Sequence, residues 1–264
     1  MIGRRISDDQ HPTRVDEPTV TLDGVDVLRG RTKALSDVTF ELHPGTLTAV
    51  VGPNGAGKSS LFALISGRVH QTRGDVSVRG PVAEVLQSTQ LDDELPLTVN
   101  DVVRLGRYPT TGLLRPIRRH DRQVIDESLG ALDLHELRRR PISQLSGGQR
   151  QRALVAQGIA QQAPVLLLDE PNAGLDARSQ RLVLDVMRAQ AESGTTVMFA
   201  THDLREAALA DNVIVLACEC VCCAPPIAAL ADPTVTALFG PAPATTETEL
   251  HQALAVASRA GSVA

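Results

Sequence analysis

Residues 52–59 read Gly52-Pro53-Asn54-Gly55-Ala56-Gly57-Lys58-Ser59, a complete G-x-x-x-x-G-K-[ST] loop. Its close-set glycines let backbone N–H groups turn inward around an anion. Lys58 has the reach to meet β- and γ-phosphates, and the Ser59 hydroxyl can ligate Mg²⁺. The flanks agree. Residues 46–51 form a short apolar strand running into the loop, and Ser60 to Ile65 opens a helix whose N-terminus faces the phosphates. A second apolar run, Pro164 to Leu168, ends in Asp169-Glu170. Its continuous hydrophobicity is that of a parallel strand buried on both faces. Adjacent carboxylates at such a strand end are expensive unless a cation or a water uses them. Asp169 can hold the Mg²⁺ of a nucleotide, and Glu170 can orient or deprotonate water.

Leu145-Ser146-Gly147-Gly148-Gln149 precedes an expected helix from Arg150 to Gln161. A hydroxyl and glycine N–H groups at a helix start make a second anion site, and one phosphate loop does not need two. Here the sequence resembles the ABC-type ATPases, whose signature is Leu-Ser-Gly-Gly-Gln. The resemblance covers roughly residues 19–230, with the motifs in the family's order and spacing. It implies ATP with Mg²⁺ as cofactor, held by residues 52–59 and Ser60, with Ser59, Asp169 and Gln87 as the magnesium ligands. It implies Glu170, His202 and Gln87 as catalytic residues: Gln87 matches the Q-loop glutamine, and His202 matches the switch histidine. Ala173-Gly174-Leu175-Asp176 matches the D-loop. In the family, Ser146, Gly147, Gly148 and Gln149 of one subunit close over the nucleotide of the other. The working unit is therefore expected to be a dimer of ATPase subunits, most simply a homodimer.

Leu86-Gln87-Ser88-Thr89-Gln90-Leu91-Asp92-Asp93-Glu94-Leu95-Pro96-Leu97-Thr98-Val99 is similar to the corresponding segment of zinc/manganese importer ATPases, and residues 102–107 with Tyr108 fit the same group. The resemblance implies a membrane permease contacting about 88–107 and an extracytoplasmic binding protein in the same system. Import of iron-siderophore or haem complexes is the runner-up. A soluble ABC-type ATPase of Fe–S cluster assembly is a second class.

The elements that must position these groups imply an α/β fold: an ABC-type P-loop ATPase core with an N-terminal antiparallel β region and an inserted helical lobe. Thr19 to Val27 and Ala34 to Leu42 read as strands, and Gly74 to Gln87 as short strands broken at Gly80-Pro81. Thr98 to Leu105 and Arg122 to Leu132 carry helical periodicity. They place a helical lobe at about 88–150 within an ATPase domain of 19–230. The stretch between Lys58 and Ser146 is too short for the coiled-coil arms of chromosome-condensation relatives. Residues 1–18 are charged and read as a disordered extension, and 231–264 as a tail with a weak helix at Leu250 to Arg259.

The net charge of −5 gives no global basic field for nucleic acid. No run approaches the roughly 18 apolar residues of a membrane span, and the N-terminus lacks an apolar signal core. A cytoplasmic protein, peripheral on the inner face of the membrane through its permease, is the expectation. Of 26 Lys and Arg residues only Lys33 and Lys58 are lysine.

Several positions depart from the family pattern. No aromatic stands near Leu28 and Arg29, where relatives stack one on adenine; an Arg plane can stack instead. Asn172 occupies a usual Ser or Thr position. Gly158 is expected to cost the signature helix about 1 kcal/mol relative to Ala. All four cysteines, Cys218, Cys220, Cys222 and Cys223, lie in one run. Cytosolic thiols this close suggest a soft-metal site. The C-x-C-x-C-C spacing is tighter than that of structural zinc sites, and along a plain strand three sulfurs would share one face without converging. Reduced thiols in a hairpin are the simpler reading.

Overall fold

The strand β6 (Val165–Asp169) is buried along its whole length, and its residues alternate between two cores. Val165 and Leu167 join one apolar cluster, Leu166 and Leu168 the other. This two-sided burial explains the unbroken apolar run in the sequence. The same holds for β3 (Leu47–Val51) and β7 (Thr196–Thr201). The structure, a computed structural model, describes residues 17–86, 96–112, 116–217 and 219–231, together with 235, 237 and 239.

Two sheets form the frame. β1 (Val20–Arg29), β2 (Thr32–Leu42) and β4 (Arg73–Val78) make an antiparallel sheet in the order β2-β1-β4. The central sheet has the order β5-β6-β7-β3-β8-β9, with β5 at Val82–Val85, β8 at Asn212–Leu216 and β9 at Cys220–Ala224. It is parallel except for β9, which returns antiparallel to β8. The phosphate-loop helix α1 (Lys58–Ile65) lies between the sheets, with Leu61, Phe62, Leu64 and Ile65 in the same core as Val25, Val38 and Phe40. In the central register Val51 pairs with Thr201, and Asp169 with Ala200. The carboxyl ends of β3, β6 and β7 therefore finish side by side, where ligands of open parallel sheets bind.

The helical region comprises α2 (Val99–Leu105), α3 (Tyr108–Thr111), α4 (Arg119–Ala131) and α5 (Gly147–Ala160). Thr98 and Asp101 close a capping box at the start of α2. Arg107 binds this region together. Buried beside Asp121, it donates from Nε to Oδ1 at 3.0 Å and from a terminal nitrogen to Ala160 O at 2.7 Å. The remaining helices are α6 (Ala177–Glu192), α7 (Leu204–Ala207) and α8 (Pro226–Leu230). Among the described residues no helix is long and apolar enough to cross a membrane.

Two expectations are corrected. The signature helix begins at Gly147, three residues before Arg150, because Ser146 and Gln149 cap it reciprocally. Gly158 is not a plain helix defect. A Cβ there would lie 2.5 Å from Val85 Cγ2 and 3.3 Å from Leu166 Cδ1. Glycine lets α5 close on β5 and β6, so Ala would replace a propensity cost with a clash.

The expected N-terminal extension lies outside the described residues apart from its last two positions, and the helix at Leu250 to Arg259 lies wholly outside them.

Candidate functional site

Gly52 ends β3 where the chain must leave the sheet with no side chain. A Cβ at this position would sit 2.2 Å from Leu216 O on β8. Gly57, at φ 102°, caps α1, and its Cβ would meet Ala34 O at 2.5 Å. The loop between them is thus pressed against β2 and β8 by backbone contact that only glycine permits. Lys58 is buried and folds back on the loop, donating from Nζ to Gly52 O at 2.6 Å and to Pro53 O at 3.2 Å. Ser59 Oγ donates to Asp169 Oδ2 at 2.9 Å. Asp169 is also buried, at 7% exposure.

Glu170 leaves β6 in the left-handed region, at φ 48°, with its N–H donating to Ala200 O. His202 follows β7 directly, and its Nδ1 lies 3.9 Å from Glu170 Oε1. A cavity of about 400 Å³ is lined by Asn54 through Ser60, Asp169 and Glu170, with Arg29, Thr32 and Ala34 at its β-sheet side. A second cavity is lined by Gly52, Pro53, Asn54, Glu170, His202 and Phe239. Glu170 and Asn54 line both. The donors fit a magnesium nucleotide: two hard oxygens from different elements converge, a lysine stands behind them, and a free helix N-terminus opens on the same space.

The other sequence-derived groups are placed as follows. Arg29 lines the phosphate-loop cavity, and Leu28 is exposed. Ser146 and Gly147 are exposed at the N-terminus of α5, and neither lines that cavity. Ser146 Oγ accepts from Gln149 N, and Gln149 Oε1 accepts from Ser146 N. Asp176 caps α6 by accepting from Ser179 N and Oγ, and these hydrogen bonds hold its carboxyl below the usual range. Gln87 lies outside the described residues, as do Asp92, Asp93, Glu94 and Cys218. Cys223 is exposed on β9. The backbone pairing of β9 with β8 shifts register between Val215–Cys222 and Leu216–Cys220.

Sequence reasoning missed Thr201, Glu206 and Phe239. Thr201 ends β7, and Glu206 stands on α7 one helical turn beyond His202. Neither residue carried a motif signal. Phe239, in the C-terminal tail, carried none.

Residues 35–173 match the family model described as ABC transporter. The chain is 37% identical over 209 residues to the manganese transport system ATP-binding protein MntA of Synechocystis, covering 75% of this chain and 80% of that one. It is 33% identical to the manganese transport system ATP-binding protein MntB of Listeria innocua, covering 85% and 97%. Among solved structures, one described as a metal-chelate type ABC transporter in an inward-facing conformation is 28% identical. It superposes with a TM-score of 0.75 over 84% of this chain and 89% of that one.

Proposed function

Because the chain belongs to the ABC transporter ATPase family, hydrolysing ATP to drive transport, we propose that it energises uptake of a metal ion, manganese or zinc, through a partner permease. The metal reading rests on manganese-system relatives that align over most of the chain. A metal-chelate cargo is the second reading, favoured by the likeness to the metal-chelate type transporter.

The observation that carries the chemistry is the 2.9 Å contact between Ser59 and Asp169. Those two oxygens would hold Mg²⁺, which neutralises phosphate charge when bound. Lys58 would exchange its carbonyl partners for β/γ-phosphate oxygens, and the N–H groups of residues 55–59 would line the anion. Glu170 takes the proton of the attacking water, and His202 steadies the developing charge from the other side. Gln87 serves as the link between nucleotide and permease.

The exposed N-terminus of α5 favours action in trans. Ser146 to Gln149 of one copy would meet the nucleotide of a second copy, with Asp176 at the same seam. Two chains, a permease seated on about 88–107 and an extracytoplasmic binding protein then make the assembly, with this chain on the inner face of the membrane. The cysteine run as a thiol metal site is a separate and weaker proposal.

Co-expression with its permease and binding protein in cells lacking other importers tests the function. Radiolabelled manganese or zinc should accumulate in an ATP-dependent manner. Accumulation unaltered by Glu170→Gln would sink the reading.

A further inference from the structure

The loops after β6 and β7 are joined by a chain of side chains that the mechanism above does not use. Asn172 is 4% exposed, and its Nδ2 donates to Glu206 Oε1 at 3.0 Å. Thr201 Oγ1 donates to Glu206 Oε2 at 2.7 Å. The same hydroxyl accepts from Asp203 N at 3.0 Å. Thr201 and Asp203 flank His202, so the Thr201 hydroxyl, itself held by the Glu206 carboxylate, ties the backbone across that residue. The imidazole itself is largely exposed, and backbone anchoring is what can set its place.

We propose that Asn172 and Glu206 form a positioning bridge that holds His202 against Glu170 for activation of water. This rests on the roles given above to Glu170 and His202. The donor direction is fixed by chemistry. A carboxylate only accepts, so the amide nitrogen of Asn172 must face it. Asn172 Oδ1 is buried with no hydrogen-bond partner. An apolar residue would fill this position without that penalty, so packing alone does not account for the amide. Asn172 belongs to the turn begun by Glu170, since Ala173 N donates to Glu170 O and Leu175 N to Asn172 O. The bridge therefore ties the turn bearing the general base to the segment bearing the histidine. These four residues and their neighbours Ala173 and Asp203 line a small shared cleft.

The test compares Asn172→Leu, Asn172→Asp and the swap Asn172→Asp with Glu206→Gln. In the swap, the amide introduced at position 206 donates to the carboxylate introduced at position 172 and still accepts from Thr201. ATP hydrolysis by the full chain gives kcat and KM, a fluorescent ATP analogue gives Kd, and thermal melting gives Tm. Asn172→Leu should keep Tm, KM and Kd near wild type and lose kcat about tenfold, the scale of a small misplacement at a reacting centre. Asn172→Asp sets two carboxylates face to face and should lose at least as much. The swap should regain most of the lost kcat. Wild-type kcat in Asn172→Leu, or a swap no faster than Asn172→Asp, overturns the bridge. If Asn172→Asp does not fold, Asn172→Leu and the swap measured against Glu206→Gln decide by the same criteria. A wild-type chain that hydrolyses no ATP overturns the bridge and the functional reading together, whereas normal wild-type turnover with unaffected variants overturns the bridge alone.

Discussion

Ser59 and Asp169 lie 110 residues apart in the chain and meet at 2.9 Å. One opens the helix after the phosphate loop and the other closes a buried strand. Between β3 and β6 stands β7, so the contact spans the width of three strands. Only the side-by-side finish of those strands brings a hydroxyl and a carboxylate to one point, where the two oxygens would meet the magnesium of a bound nucleotide.

Replacing Glu170 by Gln keeps the shape of the side chain and removes the proposed base. Nucleotide binding should persist while hydrolysis falls by ~10²–10⁴-fold. Asp169→Asn should instead weaken the magnesium dependence of binding, and Lys58→Ala binding itself. Titration with a fluorescent nucleotide, with and without Mg²⁺, separates the three. Rapid turnover in Glu170→Gln would remove it from the reaction.

The Arg107–Asp121 pair holds the helical region to the end of the signature helix. Burial pushes the Asp121 carboxyl up, but the Arg118 N–H and the Arg107 guanidinium pull it further down, below its ordinary value. Its stabilising effect is then complete above the unfolded carboxylate range near pH ~3.9 and fades as pH falls through the lower folded value. Arg107→Ala leaves a buried carboxylate without its cation and should cost about 3–5 kcal/mol. Denaturant melts at neutral pH check this, and Asp121→Asn should flatten the acid limb of the stability curve. An acid limb identical to wild type would show that another carboxylate controls it.

Most of the frame was legible in the sequence because burial leaves a pattern. The two-faced strands β3, β6 and β7 read as unbroken apolar runs, and β1 and β2 as alternation. The start of α5 was misjudged because Gly147-Gly148 suggests a loop, although Ser146 and Gln149 carry a capping-box spacing. The Asn172–Glu206 bridge was not legible at all. It joins two loops that the sequence separates, and only the parallel pairing of β6 with β7 makes them neighbours. Gly158 misled for a related reason: propensity is local, while its neighbours Val85 and Leu166 are not.

Gly158→Ala offers a direct test of that packing. Helix propensity alone would stabilise the variant by about 1 kcal/mol. The 2.5 Å approach to Val85 Cγ2 opposes this, and overpacking of a dense core typically costs about 1–3 kcal/mol. The sum should be destabilising, with a lower denaturant midpoint and an unchanged m-value. Pairing it with Val85→Ala should relieve the clash and narrow the difference. A more stable single variant would mean that β5 yields easily.

Arg29 lines the phosphate-loop cavity alongside Thr32 and Ala34, away from Asp169 and Glu170 in the chain and on the antiparallel sheet, where a nucleotide's base would be received. No aromatic stands among these three, so the guanidinium is the flat group available to a purine. Cation–π stacking at a partly exposed site contributes about 0.5–1 kcal/mol, less than a buried aromatic pair can reach. It also follows the ring's π face rather than its hydrogen-bonding edge. The chain should therefore bind ATP and GTP with similar affinity, held chiefly through the phosphates. Arg29→Ala should weaken both nucleotides by a few-fold and equally, while Arg29→Tyr should tighten both. Competition of ATP, GTP and inorganic triphosphate against a fluorescent nucleotide measures each contribution. A strong preference for ATP that survives Arg29→Ala would place base recognition elsewhere, and equal displacement by triphosphate would show that the base contributes nothing.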